Sequence, residues 1–203
     1  MRLIFIFFTL LFLTSCTSEP KSSAPANTKV SSNSAASSSS SVVTKKPIYT
    51  ANETARLGLC VALTDNAFSI AKAKLKGTAA KMLRDEYAAK PMADLTVPLV
   101  DKIYTDKFTH AWDYSVSFYQ ECATNLAQVA QPKSDTASYC MQNALIARIA
   151  KDNKDTGVSK EATQEYFNSF NSETPRKIVD EVYLQKKSRE DTVRDTWNSC
   201  VVF

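Results

Sequence analysis

His110, the only histidine of the chain, is the first residue to consider for catalytic chemistry, because histidine is the commonest acid or base at neutral pH. It lies in "KFTHAWDY", with Asp106 four residues before it and Tyr114 four residues after it. Nucleophilic catalysis requires an activated hydroxyl or thiol beside such a ring, and no motif supplies one. The pattern therefore predicts an exposed or partly packed helix histidine.

Paired carboxylates are the second candidate, since glycoside hydrolases use two acids. Asp85 and Glu86 are neighbours in sequence, and adjacent positions on a helix point about 100° apart. The pair therefore indicates a solvated helix face. The sequence also has no phosphate-binding glycine loop and no nucleotide fingerprint, so we expect a protein that is not an enzyme and has no cofactor.

Cysteines carry the most specific spacing in the chain, and it occurs in two matched sets. The sets are Cys60, Gly77 and Cys122, then Cys140, Gly157 and Cys200. Four thiols allow three pairings, and we favour one bridge within each set, because a duplicated unit should carry its own disulfide. The alternative is free or metal-binding thiols. No CxxC pair occurs and one histidine is available, so no metal site is predicted.

The pentapeptides "VDKIY" at 100–104 and "VDEVY" at 179–183 add a second matched pair. Tyr119 and Trp197 also fall in equivalent places. Together with the cysteines and glycines, these matches predict a tandem duplication, with module 1 at 51–131 and module 2 at 132–203.

Apolar residues recur at helical spacing throughout both modules, and no strand-like alternation competes with them. The predicted fold is all-α, and each module is a disulfide-closed unit of a long helix, a short connector helix and a second long helix. In module 1 the first helix ends near Gly77, the connector spans about 78–89, and the second long helix runs from Pro98 to Leu126. In module 2 the second long helix opens at Thr174-Pro175 and continues to Cys200. A bridge between its ends requires the two long helices to be antiparallel.

Several side chains receive specific predicted positions. Asp101 and Asp180 are expected in the first turns of the second long helices, where acids are favourable. Met82 and Tyr166 are expected to face inward from the connectors.

Aromatic residues crowd one helix of module 1, between Phe108 and Tyr119. The rings exceed what one small core needs, and Trp and Tyr at a surface are favoured interface anchors. We therefore select Trp112, Tyr114 and Phe118 as candidate partner-binding residues. Mutual contact between the modules is the alternative use of these rings.

The N-terminal residues predict where in the cell the protein is located. Met1 to Ser15 read "MRLIFIFFTLLFLTS". This apolar run is too short to span a bilayer, and its length is typical of a signal peptide. The following "LTSC" resembles the lipobox of bacterial lipoproteins, and the resemblance implies cleavage before Cys16 and its modification with acyl chains such as palmitate. An ordinary secretory signal is the alternative. Thr17 stands where an Asp would favour inner-membrane retention in that family, so we expect the outer membrane, facing the periplasm.

Residues 16–50 comprise this cysteine and a Ser/Ala-rich segment, which we predict to be a disordered tether. The formal net charge of +4 is too small to indicate nucleic-acid binding. The sequence therefore predicts a non-enzymatic envelope lipoprotein that binds a protein or peptide, as an adaptor, accessory factor or inhibitor. The alternative is a carrier of an apolar small molecule or lipid in a cavity between helices.

Overall fold

Eight α-helices, with no strand, make up residues 48–201, the part of the chain that the computed structural model describes. They are α1 (Ala51–Leu75), α2 (Ala80–Ala88), α3 (Ala93–Thr105), α4 (Ala111–Glu121), α5 (Lys133–Asp155), α6 (Lys160–Tyr166), α7 (Thr174–Leu184) and α8 (Arg189–Val201). A π-helical turn, Cys122–Leu126, follows α4, and a 3₁₀ turn, Asn168–Phe170, follows α6. The predicted all-α class is confirmed. The predicted signal peptide, Cys16 and most of the tether lie outside the described residues. The predicted end of the tether at residue 50 is wrong, because Tyr49 is buried and its hydroxyl donates to the Lys133 carbonyl at 2.8 Å, and Thr50 caps α1.

Local sequence explains where α1 begins and ends. Thr50 forms a capping box with Glu53: its hydroxyl accepts from the Glu53 amide at 3.1 Å, and its own amide donates to the Glu53 carboxylate at 2.7 Å. At the other end, Gly77 adopts a φ of +83°, which glycine accepts without a Cβ clash. The predicted helix end near Gly77 is therefore correct, and Gly157, its counterpart in the matched spacing, ends α5 in the same way with a φ of +80°.

The connector helices α2 and α6 bury fewer residues than predicted. Leu83, Tyr87 and Phe167 are buried as expected, whereas Met82 and Tyr166 are each 65% exposed. Each misplaced residue directly precedes a buried one. Because successive helix positions point about 100° apart, a narrow helix that buries Leu83 or Phe167 turns its neighbour toward solvent.

The predicted helix from Pro98 to Leu126 is wrong in its continuity, because the chain leaves helical geometry at Asp106 and resumes it at Ala111. Lys74, at the end of α1, explains the break. Its Nζ donates to the carbonyls of Ile103, Tyr104 and Asp106 at 2.8, 3.2 and 2.6 Å, which are groups at the end of α3 without helical partners. This cap from a distant residue favours the end of α3 here, although the helical spacing of aromatic residues continues into α4.

Module 2 breaks in the same way between α7 and α8. Lys154 Nζ donates to the carbonyls of Val182, Tyr183 and Gln185 at 3.0, 2.9 and 2.6 Å. Its second long helix is therefore also two helices, although it does open at Thr174-Pro175 as predicted.

Two predictions about the first turn of α3 are wrong as well. The helix begins at Ala93, and its first turn is closed by bonds from the Leu95 and Thr96 amides to the Met92 carbonyl, so Pro98 lies inside it. Asp101 consequently lies beyond the first turn, and it pairs with Arg84 of α2 at 2.5 Å. Asp180 likewise lies in the second half of α7 and pairs with Lys160 at 2.9 Å.

The repeated pentapeptides occupy matching positions at the ends of α3 and α7. Val100 and Val179 are fully buried. Tyr104 donates its hydroxyl hydrogen bond to the Thr78 carbonyl, and Tyr183 donates to the Val158 carbonyl at 2.7 Å, in each case to the residue after the positive-φ glycine. The motif therefore ties the second helical segment of each module to the turn after its first helix.

Both disulfides are present with the favoured pairing. Cys60 joins Cys122 and Cys140 joins Cys200, with Cα atoms 5.7 and 5.5 Å apart. Because Lys74 reaches the start of the α3–α4 connection and Cys60 reaches the end of α4, α4 runs antiparallel to α1. By the same reasoning, α8 runs antiparallel to α5.

The two modules share a single hydrophobic core within the described residues. Tyr119 and Trp197, predicted to be equivalent, are both buried there, and neither the tyrosine hydroxyl nor the indole N–H has a hydrogen-bond partner among the described residues. An ion pair between Asp65 of α1 and Arg148 of α5 also joins the modules, with both side chains at least 90% buried. The matched contacts fit a duplicated unit, and the duplication itself stays a prediction.

Candidate functional site

Tyr114, a predicted partner-binding residue, belongs to the junction between α3 and α4. Its hydroxyl donates to Asp106 Oδ2 at 2.8 Å, and its ring lies 4.5 Å from that of Phe108, centroid to centroid. Burial raises the pKa of Tyr114, and the Asp106 carboxylate raises it further. The ring therefore stabilises the junction, and its partly exposed side lines a surface depression together with Phe118.

Asp106 is the acidic partner in this junction. Burial acts to raise its pKa, but hydrogen bonds from Tyr114 and Lys102, with the nearby charge of Lys74, hold the pKa below its ordinary value. At neutral pH the pair is an ionised acid and a neutral phenol. Phe118, half-buried nearby, lines a shallow depression of about 310 Å³ together with Lys102 and Glu121.

Trp112 has a different environment, because it contacts module 2. Its ring meets that of Phe170 edge-on, with centroids 5.5 Å apart and planes at 75°. Phe170 in turn packs on Phe167, whose other neighbour is Tyr166 at 5.0 Å. Phe167 is buried, whereas Phe170 is 41% and Tyr166 65% exposed. We call Trp112, Tyr166 and Phe170 the aromatic surface.

Of the three candidate residues, the structure thus places only Trp112 beside strongly exposed rings. Tyr166 and Phe170 were missed as site residues, because their proximity to Trp112 arises from the packing of the two modules. The available signal was local: "EYFNSF" places three aromatic residues in six, more than a short connector helix buries.

A groove lies on another side of the molecule, between α1, the α2–α3 connection and α8. Its volume is about 340 Å³. We call it the α1–α8 groove. Its lining residues are Gly58, Val61, Ala62, Asp65, Asn66, Lys90, Pro91, Met92, Arg189, Glu190, Val193 and Arg194.

The buried ion pair forms part of the floor of this groove. Arg148 Nε donates to Asp65 Oδ1, its Nη1 to Asp152 Oδ2 at 2.5 Å and its Nη2 to Ser69 Oγ at 2.8 Å. The Asp65 carboxylate is therefore already bonded to a cation from behind. Arg189 approaches its other oxygen at 3.6 Å, too far for a hydrogen bond.

His110 lies at the N-terminal boundary of α4 and is exposed. Thr109 Oγ1 is 3.0 Å and Asp113 Oδ2 is 3.5 Å from the same ring nitrogen, Nδ1. A proton relay uses the two nitrogens for two partners, so this arrangement does not form one. Asp85 and Glu86 form exposed pairs with Lys81 and Lys90, respectively.

No family model matches the chain, and neither a curated protein nor a solved structure shows a significant similarity to it. Among residues 48–201, no helix combines the length and apolar character needed to cross a membrane. The same residues contain no group of three or more His, Cys, Asp or Glu side chains that could hold a metal ion.

Proposed function

We propose that this protein is a lipid-anchored component of the bacterial cell envelope whose helical domain binds a protein or peptide partner without catalysing a reaction. The aromatic surface carries this proposal. Tyr166 and Phe170 expose 65% and 41% of their area, whereas the other Phe, Tyr and Trp rings among the described residues, apart from Tyr139, are buried or partly buried. Phe170 contacts Trp112, and the buried Phe167 lies between Phe170 and Tyr166. Exposed aromatic rings on a packed base are typical anchors of protein interfaces.

The location rests on the sequence. The apolar run before Cys16 and its "LTSC" context support export and acylation, and Thr17 supports an outer-membrane position facing the periplasm. The Ser/Ala-rich composition after Cys16 supports a spacer between the anchor and the domain, which is folded from Tyr49 onward.

A carrier of an apolar small molecule is the second candidate. The observation that favours it is the α1–α8 groove, whose volume of about 340 Å³ is at the lower end of ordinary ligand sites. The two candidates use different surfaces, so they can be tested separately.

The test is site-specific photo-crosslinking in intact cells. A photoreactive amino acid at Tyr166 should capture one discrete polypeptide, and the same group at Met82 should not. Met82 is the matched control because it is also 65% exposed and lies on α2. Equal capture from both positions, or none from Tyr166, would count against the aromatic surface.

Two variants complete this experiment. Phe170→Ala should abolish capture while lowering the free energy of unfolding by about 1 to 3 kcal/mol, because the ring is 41% exposed and packs on Trp112 and Phe167. In the same cells, Cys16→Ala should move the protein from the membrane to the soluble fraction. Continued membrane attachment of that variant would contradict the anchor.

A further inference from the structure

We propose that the α1–α8 groove binds an amphiphile that has a single apolar chain and one anionic head group, such as a medium-chain carboxylate. This inference rests on the second candidate function and is independent of the aromatic surface. It names the chemical class that the groove would take. Four features of the lining residues support it.

Gly58 is the first feature. It lies within α1, away from either end, and has none of the positive φ that explains Gly77 and Gly157. A Cβ built on Gly58 would meet no atom within 4 Å, so no contact inside the domain requires glycine. Glycine in a helix interior is destabilising relative to alanine. Its effect here is to leave helix backbone bare along the groove, where an apolar chain can lie directly against it.

The apolar floor is the second feature. Val61 of α1 and Val193 of α8 are 4% and 2% exposed, and Met92 and Pro91 form the opposite wall. A volume of about 340 Å³ corresponds to roughly eleven water molecules at about 30 Å³ each. A chain of about ten carbon atoms fits that space.

The third feature is the arrangement of cations at the groove. Lys90 comes from the α2–α3 connection, and Arg189 and Arg194 come from α8, so cations stand on two sides. Of the acids in the lining, Asp65 is bonded to Arg148 from behind and Glu190 to Arg189.

Lys90 forms an exposed ion pair with Glu86 and lies over the Tyr87 ring, and Arg194 forms exposed ion pairs with Asp191 and Asp195. Exposed ion pairs are weak, so a ligand carboxylate can replace them. An anionic head group is therefore favoured at the rim over a cationic one.

The fourth feature is the Arg189 side chain. Its Nε–H is buried and lies 3.6 Å from Asp65 Oδ2, which leaves it without a partner at hydrogen-bond distance among the described residues. A small rotation of the guanidinium toward an anion in the groove would satisfy this donor, and Arg189 is only half-buried, so it has room to turn.

The test is isothermal titration calorimetry on the full exported chain carrying Cys16→Ser, which leaves no attached lipid to compete with the probe. Sodium decanoate, kept below its micelle concentration, should bind saturably with one molecule per chain. Decyltrimethylammonium has the same apolar chain and a cationic head, and it should bind at least roughly tenfold more weakly. Sodium butyrate, with the head group and a short chain, should not saturate.

Groove variants locate the site. Gly58→Leu should weaken decanoate binding at least roughly tenfold by occupying the groove, while Asn52→Leu, at an exposed position of α1 outside the lining, should not. Arg194→Gln should weaken decanoate binding, whereas Arg176→Gln, an exposed arginine of α7, should leave it unchanged.

Four results would overturn the proposal. Absence of saturable decanoate binding removes the site, and equal affinity for both decyl probes removes the anionic preference. Full binding by Gly58→Leu places any bound decanoate elsewhere. A polypeptide captured by a photoreactive group at Gly58 and displaced by no amphiphile would make the groove a protein interface. Crosslinking from Tyr166 reports on the aromatic surface, so its failure is distinguishable from each of these.

Discussion

At the scale of single residues, Lys74 and Lys154 determine more of the architecture than any residue chosen from the sequence. Each ammonium donates to three backbone carbonyls that a helix end leaves without partners. The cysteines and glycines were predictable because they are scarce and their spacing matches. Lys74 and Lys154 are separated by the same interval as the first matched cysteines and the matched glycines. Lysine is common in this chain, however, so the matching interval alone does not indicate a structural role.

Lys74→Met should lower the free energy of unfolding by about 1.5 to 3 kcal/mol, because methionine keeps the apolar stem and removes a charged donor from three carbonyls. Lys154→Met should cost a similar amount. Denaturant unfolding with both disulfides intact measures the effect. Lys76→Met is the control, since Lys76 is exposed beyond the end of α1. A loss at Lys76 equal to that at Lys74 would show a general charge effect in place of capping.

At the scale of elements, the sequence predicted the class, the first long helices and the connectors, and it failed at the continuity of the second long helices. Apolar periodicity reports which face of a segment is buried, and that face continues from Ile103 through Ala111 to Tyr119. The interruption at Asp106 depends on Lys74 and on the Tyr114 hydroxyl, which are contacts distant in sequence or across the break. Local pattern contains no information about such partners.

The three glycines allow the effect of Gly→Ala on stability to be compared between helix ends and a helix interior. Gly77→Ala and Gly157→Ala should each lower the free energy of unfolding by about 1 to 2 kcal/mol, because alanine is strained at φ values of +83° and +80°. Gly58→Ala should raise it by up to about 1 kcal/mol, because that site is helical and open. Thermal unfolding of the three variants compares them directly. Destabilisation by Gly58→Ala would show that the helix interior needs glycine for its own packing.

At the scale of the whole molecule, the two modules form one body around Tyr119 and Trp197, which the sequence placed in equivalent positions without indicating that they meet. The contact between modules also explains why the aromatic residues of α4 have three different environments. Tyr119 faces the shared core, Trp112 reaches Phe170 of module 2, and Tyr114 braces its own module. Such assignments require the relative placement of helices, which spacing along one helix cannot supply.

The ion pair between Asp65 and Arg148 provides the last prediction, because it joins the modules where both side chains are at least 90% buried. Removing one member leaves an uncompensated buried charge, so Arg148→Met should lower the free energy of unfolding by about 3 to 5 kcal/mol. The double variant Asp65→Leu with Arg148→Met should recover much of that loss, because no charge then remains unpaired between these two positions.

Arg84→Met is the matched control, since Arg84 pairs with Asp101 through the same groups but both side chains are about half exposed, at 46% and 53%. It should cost less than about 1 kcal/mol. Denaturant unfolding of the parent, the Asp65 and Arg148 single variants and the double variant, with disulfides intact, gives the coupling energy. If Arg148→Met costs no more than Arg84→Met, the buried pair does not hold the modules together, and the shared apolar core alone must account for their association.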